Sequence, residues 1–330
     1  MKAVLSHAPG GPETLSIEEV PAPSAGPGKV VIEVKAIGVN FPDSLIIQDL
    51  YQLKPPRPFA PGGELSGVVT EVGEGVTNLA VGDRVLAVPG HGAMVESIEV
   101  DAASCIPIPD GMPFDDAACL LLTYATSYYA LKDRAKAQPG ESLFILGASG
   151  GVGLAALQLG KAMGLRVIAG CSSQDKLDLC IEHGADTGIV YERQPFDRDQ
   201  QKALSGQIKE AGGGGVDVIY DAVGGDYSEP SVRAMNWDGR FLVIGFPAGI
   251  PKLPLNLTLL KNCQIVGVFW GASVMVDPEG HQRNVADLFD LYAEGKIKPF
   301  ISSRYSLEQA GAAITELIER RARGKIVIEV

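Results

Sequence analysis

The chain has no apolar run long enough to cross a bilayer, no basic cluster and no paired cysteines, and each lack removes a class of function. Its longest apolar stretch, Ala117 to Leu131, is interrupted by Thr123, Thr126 and Ser127, and a spanning helix needs about 20 uninterrupted residues. The opening MKAVLSHAPGGPE lacks the apolar centre of a secretion signal, so the expected location is the cytoplasm, with no membrane partner. No basic run exceeds Arg320-Arg321, and the formal net charge over 330 residues is −12. Phosphate backbones are held by clustered Lys and Arg, so no nucleic-acid partner is expected, which leaves small molecules or proteins. Five cysteines, at 105, 119, 171, 180 and 263, form no C-x-x-C pair, and four histidines lie scattered beside Gly, Pro or polar residues. That spacing fits neither a disulfide framework nor a zinc knuckle, so no metal is expected.

What the chain does have is a strand, a glycine turn and a helix in succession. Leu143 to Leu146 is a buried-strand pattern, glycines follow at 147, 150, 151 and 153, and apolar residues recur at helical spacing from Val152 to Met163. Bare backbone lets a pyrophosphate approach closely, and the helix start offers it unpaired N–H groups. Ser149, Gly150, Gly151, Val152 and Gly153 are therefore the candidate cradle. A G-x-G-x-x-G pattern kept only loosely is a weak signal alone.

Around this stretch the chain changes texture twice. Residues 2 to about 110 read as short strands between Gly and Pro turns, which predicts a compact antiparallel β domain. The expected strands are Lys2 to Leu5, Val30 to Val39, Leu65 to Val72, Arg84 to Val88 and Met94 to Val100. The long proline-rich run from Asn40 to Leu65 breaks that pattern, and a connection of this length is more often functional than idle. From Pro113 the pattern is helical, with a helix over Ala117 to Lys136. Six apolar runs follow, at 143–147, 166–170, 188–190, 216–221, 240–245 and 264–269, mostly separated by helical segments. Six strands alternating with helices predict a complete doubly wound parallel sheet. Asn284 to Glu294 would close it, and a last helix, Leu307 to Arg321, and an edge-type strand, Lys325 to Val330, would follow.

About 20 residues past the glycines, NAD-binding chains carry an acid for the ribose 2′-hydroxyl. Here the strand ends in Gly170-Cys171-Ser172-Ser173-Gln174-Asp175-Lys176. With no acid at the strand end, Ser172, Ser173 and Lys176 stand where a 2′-phosphate would sit, which points to NADPH. The alternative is that Ser172 or Ser173 caps the next helix.

Together these segments resemble the medium-chain dehydrogenase/reductase superfamily, in its zinc-independent quinone oxidoreductase and enone reductase branch. The motifs are MKAVL, Ala36 to Asn40 with Asp43, Pro61-Gly62-Gly63-Glu64, Val81 to Val85, Gly147 to Gly153 and Gly324-Lys325-Ile326-Val327. In the alcohol dehydrogenase branch a Cys and a His hold zinc near the positions of Asn40 and Gly63, so the resemblance implies hydride transfer without a metal. It implies an α/β protein with a GroES-like β-barrel catalytic domain, 1–115 with 299–330, and a six-stranded Rossmann nucleotide domain, 116–298. It also implies catalytic roles for Tyr51, Asn40 and Thr126. Tyr191 and Arg320 or Arg321 would hold the 2′-phosphate, with Gly245 and Phe269 lining the cofactor and substrate side. Leu45 stands where some relatives carry a second tyrosine.

The expected function is then an NADPH-dependent reductase of a quinone or an α,β-unsaturated carbonyl compound. The alternatives are a short-chain enoyl- or acryloyl-CoA reductase, for which only Lys54 and Arg57 could receive the CoA phosphates, and a non-catalytic NADPH-binding redox sensor. The apolar sixth strand at a sheet edge predicts a homodimer.

Overall fold

The computed structural model describes residues 1–330, which form two compact units, Met1–Leu122 with Pro299–Val330 and Thr123–Lys298. The change of unit falls after Leu122 rather than at residue 115, because helix Phe114–Ala118 packs on the strands of the first unit.

The first unit begins with β1 (Lys2–Ser6), β2 (Leu15–Glu19), β3 (Lys29–Val39), β4 (Glu64–Val72), β5 (Arg84–Ala87), β6 (Ser97–Asp101) and β7 (Cys105–Pro107). β1 and β2 pair as an antiparallel two-stranded sheet. The long strand β3 is the spine of the larger sheet. Its residues Val30, Ile32, Val34 and Ile37 are buried, and β4, β6 and a C-terminal strand all pair with it antiparallel. The run from Asn40 to Leu65 holds a short helix, Phe41–Ile46, started by Asn40 through a capping box with Asp43.

The second unit carries β8 (Ser142–Leu146), β9 (Arg166–Cys171), β10 (Thr187–Val190), β11 (Val216–Asp221), β12 (Met235–Val243) and β13 (Gln264–Gly267). All are parallel, in the order β10-β9-β8-β11-β12-β13. This is the doubly wound order expected of the six apolar runs, with the direction of winding reversed between β8 and β11. β8 is buried along its whole length, as a strand covered on both faces must be. The helix expected over Ala117 to Lys136 is interrupted at Cys119 and Leu120 and then runs without a break from Leu121 to Arg134. Wide-turn segments at Leu121–Ala125 and Tyr129–Arg134 flank a single α-turn at Thr126–Tyr128.

The chain then returns to the first unit as β14 (Ile301–Ser306) and β15 (Lys325–Glu329), either side of helix Ala310–Ile318. Here the edge-type reading of Lys325 to Val330 is wrong: β15 lies between β14 and β3, parallel to the first and antiparallel to the second. The cause is β14, whose Ser303, Arg304 and Ser306 hide a strand that is only half buried.

Candidate functional site

At the end of β8 the backbone turns sharply. Gly147 sits at φ +74, and the N–H groups of Gly147 and Ala148 both donate to Gly170 O at 3.1 Å, which ties the turn to β9. At Gly153 the turn doubles back on the helix: a Cβ there would lie 2.3 Å from Gly147 O and 2.7 Å from Ala148 O. Only glycine permits that approach. The helix Gly151–Ala162 starts at Gly150 with no side-chain cap and no acidic residue in its first turn. Its first N–H groups and the positive end of its dipole are thus left for an external anion, which fits a dinucleotide's pyrophosphate.

Beside this turn, β9 ends at Cys171, and Ser172, Ser173 and Lys176 are half-buried on the turn and first helical residues that follow. Ser173 occupies the N-cap of helix Gln174–Glu182, yet its hydroxyl makes no cap hydrogen bond. The capping alternative for Ser173 is therefore not what the structure shows. Tyr191 belongs to the core instead of the surface. It is 7% exposed, its ring lies 4.9 Å from that of Tyr227, and burial drives its phenol far above the ordinary range. Nothing local in the sequence announces the aromatic cluster beneath it. Gly245 follows β12 and donates to Asp221 O at 3.3 Å. Sequence reasoning missed Asp221 itself, which shapes the end of β11. Its buried carboxylate accepts from the Val223 and Gly224 N–H groups at 2.9 and 2.8 Å and from Ser228 Oγ at 2.5 Å. Phe269 is 60% exposed, while Trp270 beside it is buried.

Thr126 is half-buried, and no helical carbonyl takes its hydroxyl. Its neighbour Ser127 is the anchored residue, with Oγ at 2.8 Å from Thr123 O, 3.1 Å from Val152 O and 2.8 Å from the Tyr220 hydroxyl. Ser127 thus holds Thr126 against the first turn of the glycine helix.

The first unit contains a buried ion network that the sequence motifs touch but do not reveal. Lys325 Nζ donates to Asn40 Oδ1 at 2.6 Å, Glu64 Oε1 at 2.7 Å and Val39 O at 3.3 Å. Asn40 Nδ2 donates to Gly38 O at 3.0 Å and Glu64 Oε1 at 2.8 Å, and Glu64 Oε2 accepts from Leu122 N–H at 3.0 Å. Gly38 makes room for this: a Cβ there would lie 2.1 Å from Ala118 O and 2.5 Å from Glu64 Oε1. Both hydrogens of the Asn40 amide are consequently taken inside the network, so the side chain for which the resemblance implies a catalytic role is fixed by Glu64 and Lys325. Burial opposes the charge on Lys325, but Glu64 more than offsets it and the ammonium is held above its usual range.

Asp43 completes the network and is its anomaly. Its Oδ2 accepts from Asn40 N–H at 2.8 Å, while Oδ1 is buried with no partner. Burial pushes this carboxyl up to about 7, against the pull of the Asn40 N–H and Lys325. A Cβ at Gly63 would lie 3.5 Å from the orphan oxygen, so a side chain at that position would meet the Asp43 carboxyl. The folded carboxyl titrates near 7 and the unfolded one near ~4, so the folded state holds the extra proton between them. Stability is therefore lost as pH rises from about 4 to about 7 and is level beyond. Asp43→Asn keeps the acceptor for Asn40 N–H but cannot ionise. Relative to wild type it should gain roughly 2 kcal/mol between about pH 5 and pH 8, measured by thermal unfolding at both; parallel pH profiles would contradict this.

Tyr51 lies half-buried beyond helix Phe41–Ile46, packed on the core of the first unit, and its hydroxyl has no protein partner. Burial and the charge of Asp43 raise its phenol, so it is a neutral donor near pH 7. Arg320 and Arg321 follow helix Ala310–Ile318 in the same unit, exposed, with Arg321 paired to Glu319 at 2.7 Å. Tyr51, Asn40 and both arginines thus belong to one unit, and Thr126, the glycine turn and the β9 end to the other.

Two family models match the chain. The alcohol dehydrogenase GroES-like domain matches residues 26–110, and the zinc-binding dehydrogenase family matches residues 151–290. The chain is 38% identical over 307 residues to the quinone oxidoreductase-like protein 2 homolog of Nematostella vectensis, covering 92% of this chain and 82% of that one. It is 31% identical over 337 residues to the human synaptic vesicle membrane protein VAT-1 homolog, covering 97% and 84%. Among solved structures, Escherichia coli quinone oxidoreductase complexed with NADPH superimposes with a TM-score of 0.88 at 28% identity, covering 100% of both chains. A mycobacterial protein complexed with NADPH gives 0.91 at 29%, again over 100% of both.

Proposed function

The chain belongs to the medium-chain dehydrogenase/reductase superfamily, in its quinone oxidoreductase branch, and from that premise we propose that it is an NADPH-dependent, zinc-independent reductase of quinones or α,β-unsaturated carbonyl compounds. The observation that carries the cofactor reading is the uncapped, acid-free helix start at Gly150 beside a β9 end without a carboxylate. Gly150 to Gly153 would hold the pyrophosphate, and Ser172, Ser173 and Lys176 the 2′-phosphate, with Arg320 or Arg321 as a further cation. The NADPH complexes of the Escherichia coli and mycobacterial relatives support the same choice. When bound, NADPH supplies a hydride; the protein orients the acceptor and excludes water. Zinc independence is supported by Asn40 and Gly63 at the positions of the metal ligands in the alcohol dehydrogenase branch.

Negative charge develops on the acceptor oxygen as the hydride arrives. The unpartnered, neutral Tyr51 hydroxyl is the donor this chain offers to it. Because ordered water can replace one proton donor, Tyr51→Phe should lower turnover of an enone about tenfold, well short of the 10²-fold loss of an obligatory acid. A quinone should be affected less, since its reduced form can be protonated after release. Steady-state consumption of NADPH with each acceptor measures both, and abolished turnover with NADPH binding intact would make the phenol indispensable.

An acyl-CoA substrate is less well supported. Of the two cations named for it, Arg57 is committed to Asp49 Oδ1 at 2.7 Å and Ile47 O at 2.9 Å.

The proposal includes a homodimer. β13 is the edge of its sheet, and the exposed side chains around it include Leu255, Leu259, Phe269, Met275 and Val276, from 60% to 85% exposed. Such an edge invites pairing, and two-fold pairing closes the assembly. Light scattering at micromolar concentration should give twice the 34.7 kDa chain mass; the mass of one chain would refute it. Cytoplasmic location is likewise part of the proposal. No helix is long and apolar enough to cross a membrane.

A further inference from the structure

Two of the five cysteines face each other where the cofactor reading places the adenosine phosphate. Cys171 is the last residue of β9 and Cys180 lies on helix Gln174–Glu182. Both are fully buried, and their Sγ atoms are 3.6 Å apart. The remaining three have burial as the leading influence and are all pushed up, Cys105 to about 12. Cys171 alone is lowered: the Cys180 thiol hydrogen-bonds to it, and the Ser149 N–H and the Lys176 charge add to that against burial. Cys180 is correspondingly held far up by its neighbour. The pair is thus a nucleophilic thiol with a protonated partner already in contact.

We propose that Cys171 and Cys180 are a thiol pair that a peroxide closes into a disulfide, and that closure weakens cofactor binding at the end of β9. The second half rests on the placement of the 2′-phosphate given above. In the first step the Cys171 thiolate attacks one peroxide oxygen; an S–O bond forms, the O–O bond breaks, and hydroxide leaves to become water. Cys171 is then a sulfenic acid. Cys180 sulfur attacks it, the S–S bond forms, the S–O bond breaks, and the departing hydroxide takes the Cys180 proton as a second water. Two thiols are oxidised by two electrons and one peroxide is reduced to two waters.

A disulfide requires the sulfurs about 2.05 Å apart, so closure from 3.6 Å must draw the two side chains together, by rotation and by whatever backbone shift accompanies it. β9 is hydrogen-bonded to β8 and β10 on its two sides, and Cys171 O accepts from Tyr191 N–H at 2.9 Å. Any backbone shift therefore falls on helix Gln174–Glu182, which carries Lys176 and is entered through Ser172 and Ser173. Those two serines are only half-buried, whereas both cysteines are 0% exposed, so a peroxide reaches the pair when this turn opens.

The test is peroxide titration of the full chain followed by tryptic mass analysis and fluorescence titration with NADPH. Trypsin cuts after Arg166, Lys176 and Arg193, so the expected product is Val167–Lys176 joined to Leu177–Arg193, two hydrogens lighter than the separate peptides and split by dithiothreitol. The NADPH Kd should rise at least tenfold with that product and return on reduction. Cys180→Ser should give no joined peptide and should accumulate a dimedone-reactive sulfenic acid at Cys171. Absence of the joined peptide at peroxide concentrations that oxidise Cys263, with NADPH binding intact, overturns the thiol pair while sparing the cofactor reading. A joined peptide with unchanged NADPH affinity overturns the regulatory half. Reduced protein that does not bind NADPH overturns the cofactor reading, and with it that half, while the joined peptide still reports on the pair.

Discussion

Lys325→Met should destabilise the first unit by about 3–5 kcal/mol, the cost of removing one partner from a buried ion pair. Methionine preserves most of the stem's volume, so the loss is electrostatic. Lys325 is 3% exposed and Glu64 1%, and without the ammonium the Glu64 carboxylate keeps only the Asn40 amide and the Leu122 N–H as partners. Against a usual domain stability of about 5–15 kcal/mol, this is enough to lower expression and thermal midpoint together. Lys325→Met with Glu64→Gln should recover much of the loss, because no charge is then left buried. Denaturant unfolding of the wild type, both single variants and the double variant gives the coupling. A loss below about 1 kcal/mol in the single variant, the value of an exposed pair, would mean that Glu64 finds water when the lysine is gone.

Gly153→Ala should abolish useful cofactor binding. Its Cβ would lie 2.3 and 2.7 Å from two carbonyl oxygens of the turn, and backbone cannot yield as the end of a flexible side chain can. The turn must open, which moves Gly150 and the helix start away from the geometry that receives the pyrophosphate. A displacement of about 1 Å at charge-assisted hydrogen bonds worth about 1.5–3 kcal/mol each should raise the NADPH Kd by 10²-fold or more. Fluorescence titration measures this, with circular dichroism to confirm that the sheet survives. Affinity within threefold of wild type would place the pyrophosphate elsewhere.

How much of this was legible in the sequence follows from how local each signal is. The inner strands β8, β9 and β11 were readable because a strand buried on both faces is a largely apolar run. The glycine turn was readable because close backbone approach admits one residue type. β14 was not, since Ser302, Arg304 and Ser306 are exposed and its other face is only half-buried; missing it turned β15 into an edge. The burial of Tyr191 was not legible for a related reason, its ring partner Tyr227 lying 36 residues on and belonging to a core cluster that no spacing rule marks. The ion network was the least legible part. Asn40, Glu64 and Lys325 each sit in a quoted motif, yet Lys325 lies 285 residues from Asn40, and no spacing rule joins them. Asp221 and Ser127 gave no signal beyond being polar residues in apolar runs, which is itself the pattern to look for in a buried network.

The central claim is a metal-free, NADPH-specific hydride transfer to an electron-poor acceptor. The most direct test follows the absorbance of reduced nicotinamide when the purified protein meets benzoquinone or an enone with NADPH or NADH, with and without a strong zinc chelator. The account predicts that NADPH is consumed one for one with the acceptor, that NADH is poorer by on the order of 10² in kcat/KM, and that the chelator changes nothing. Equal use of NADH, loss of activity in chelator, or no consumption with any acceptor while NADPH still binds would contradict it.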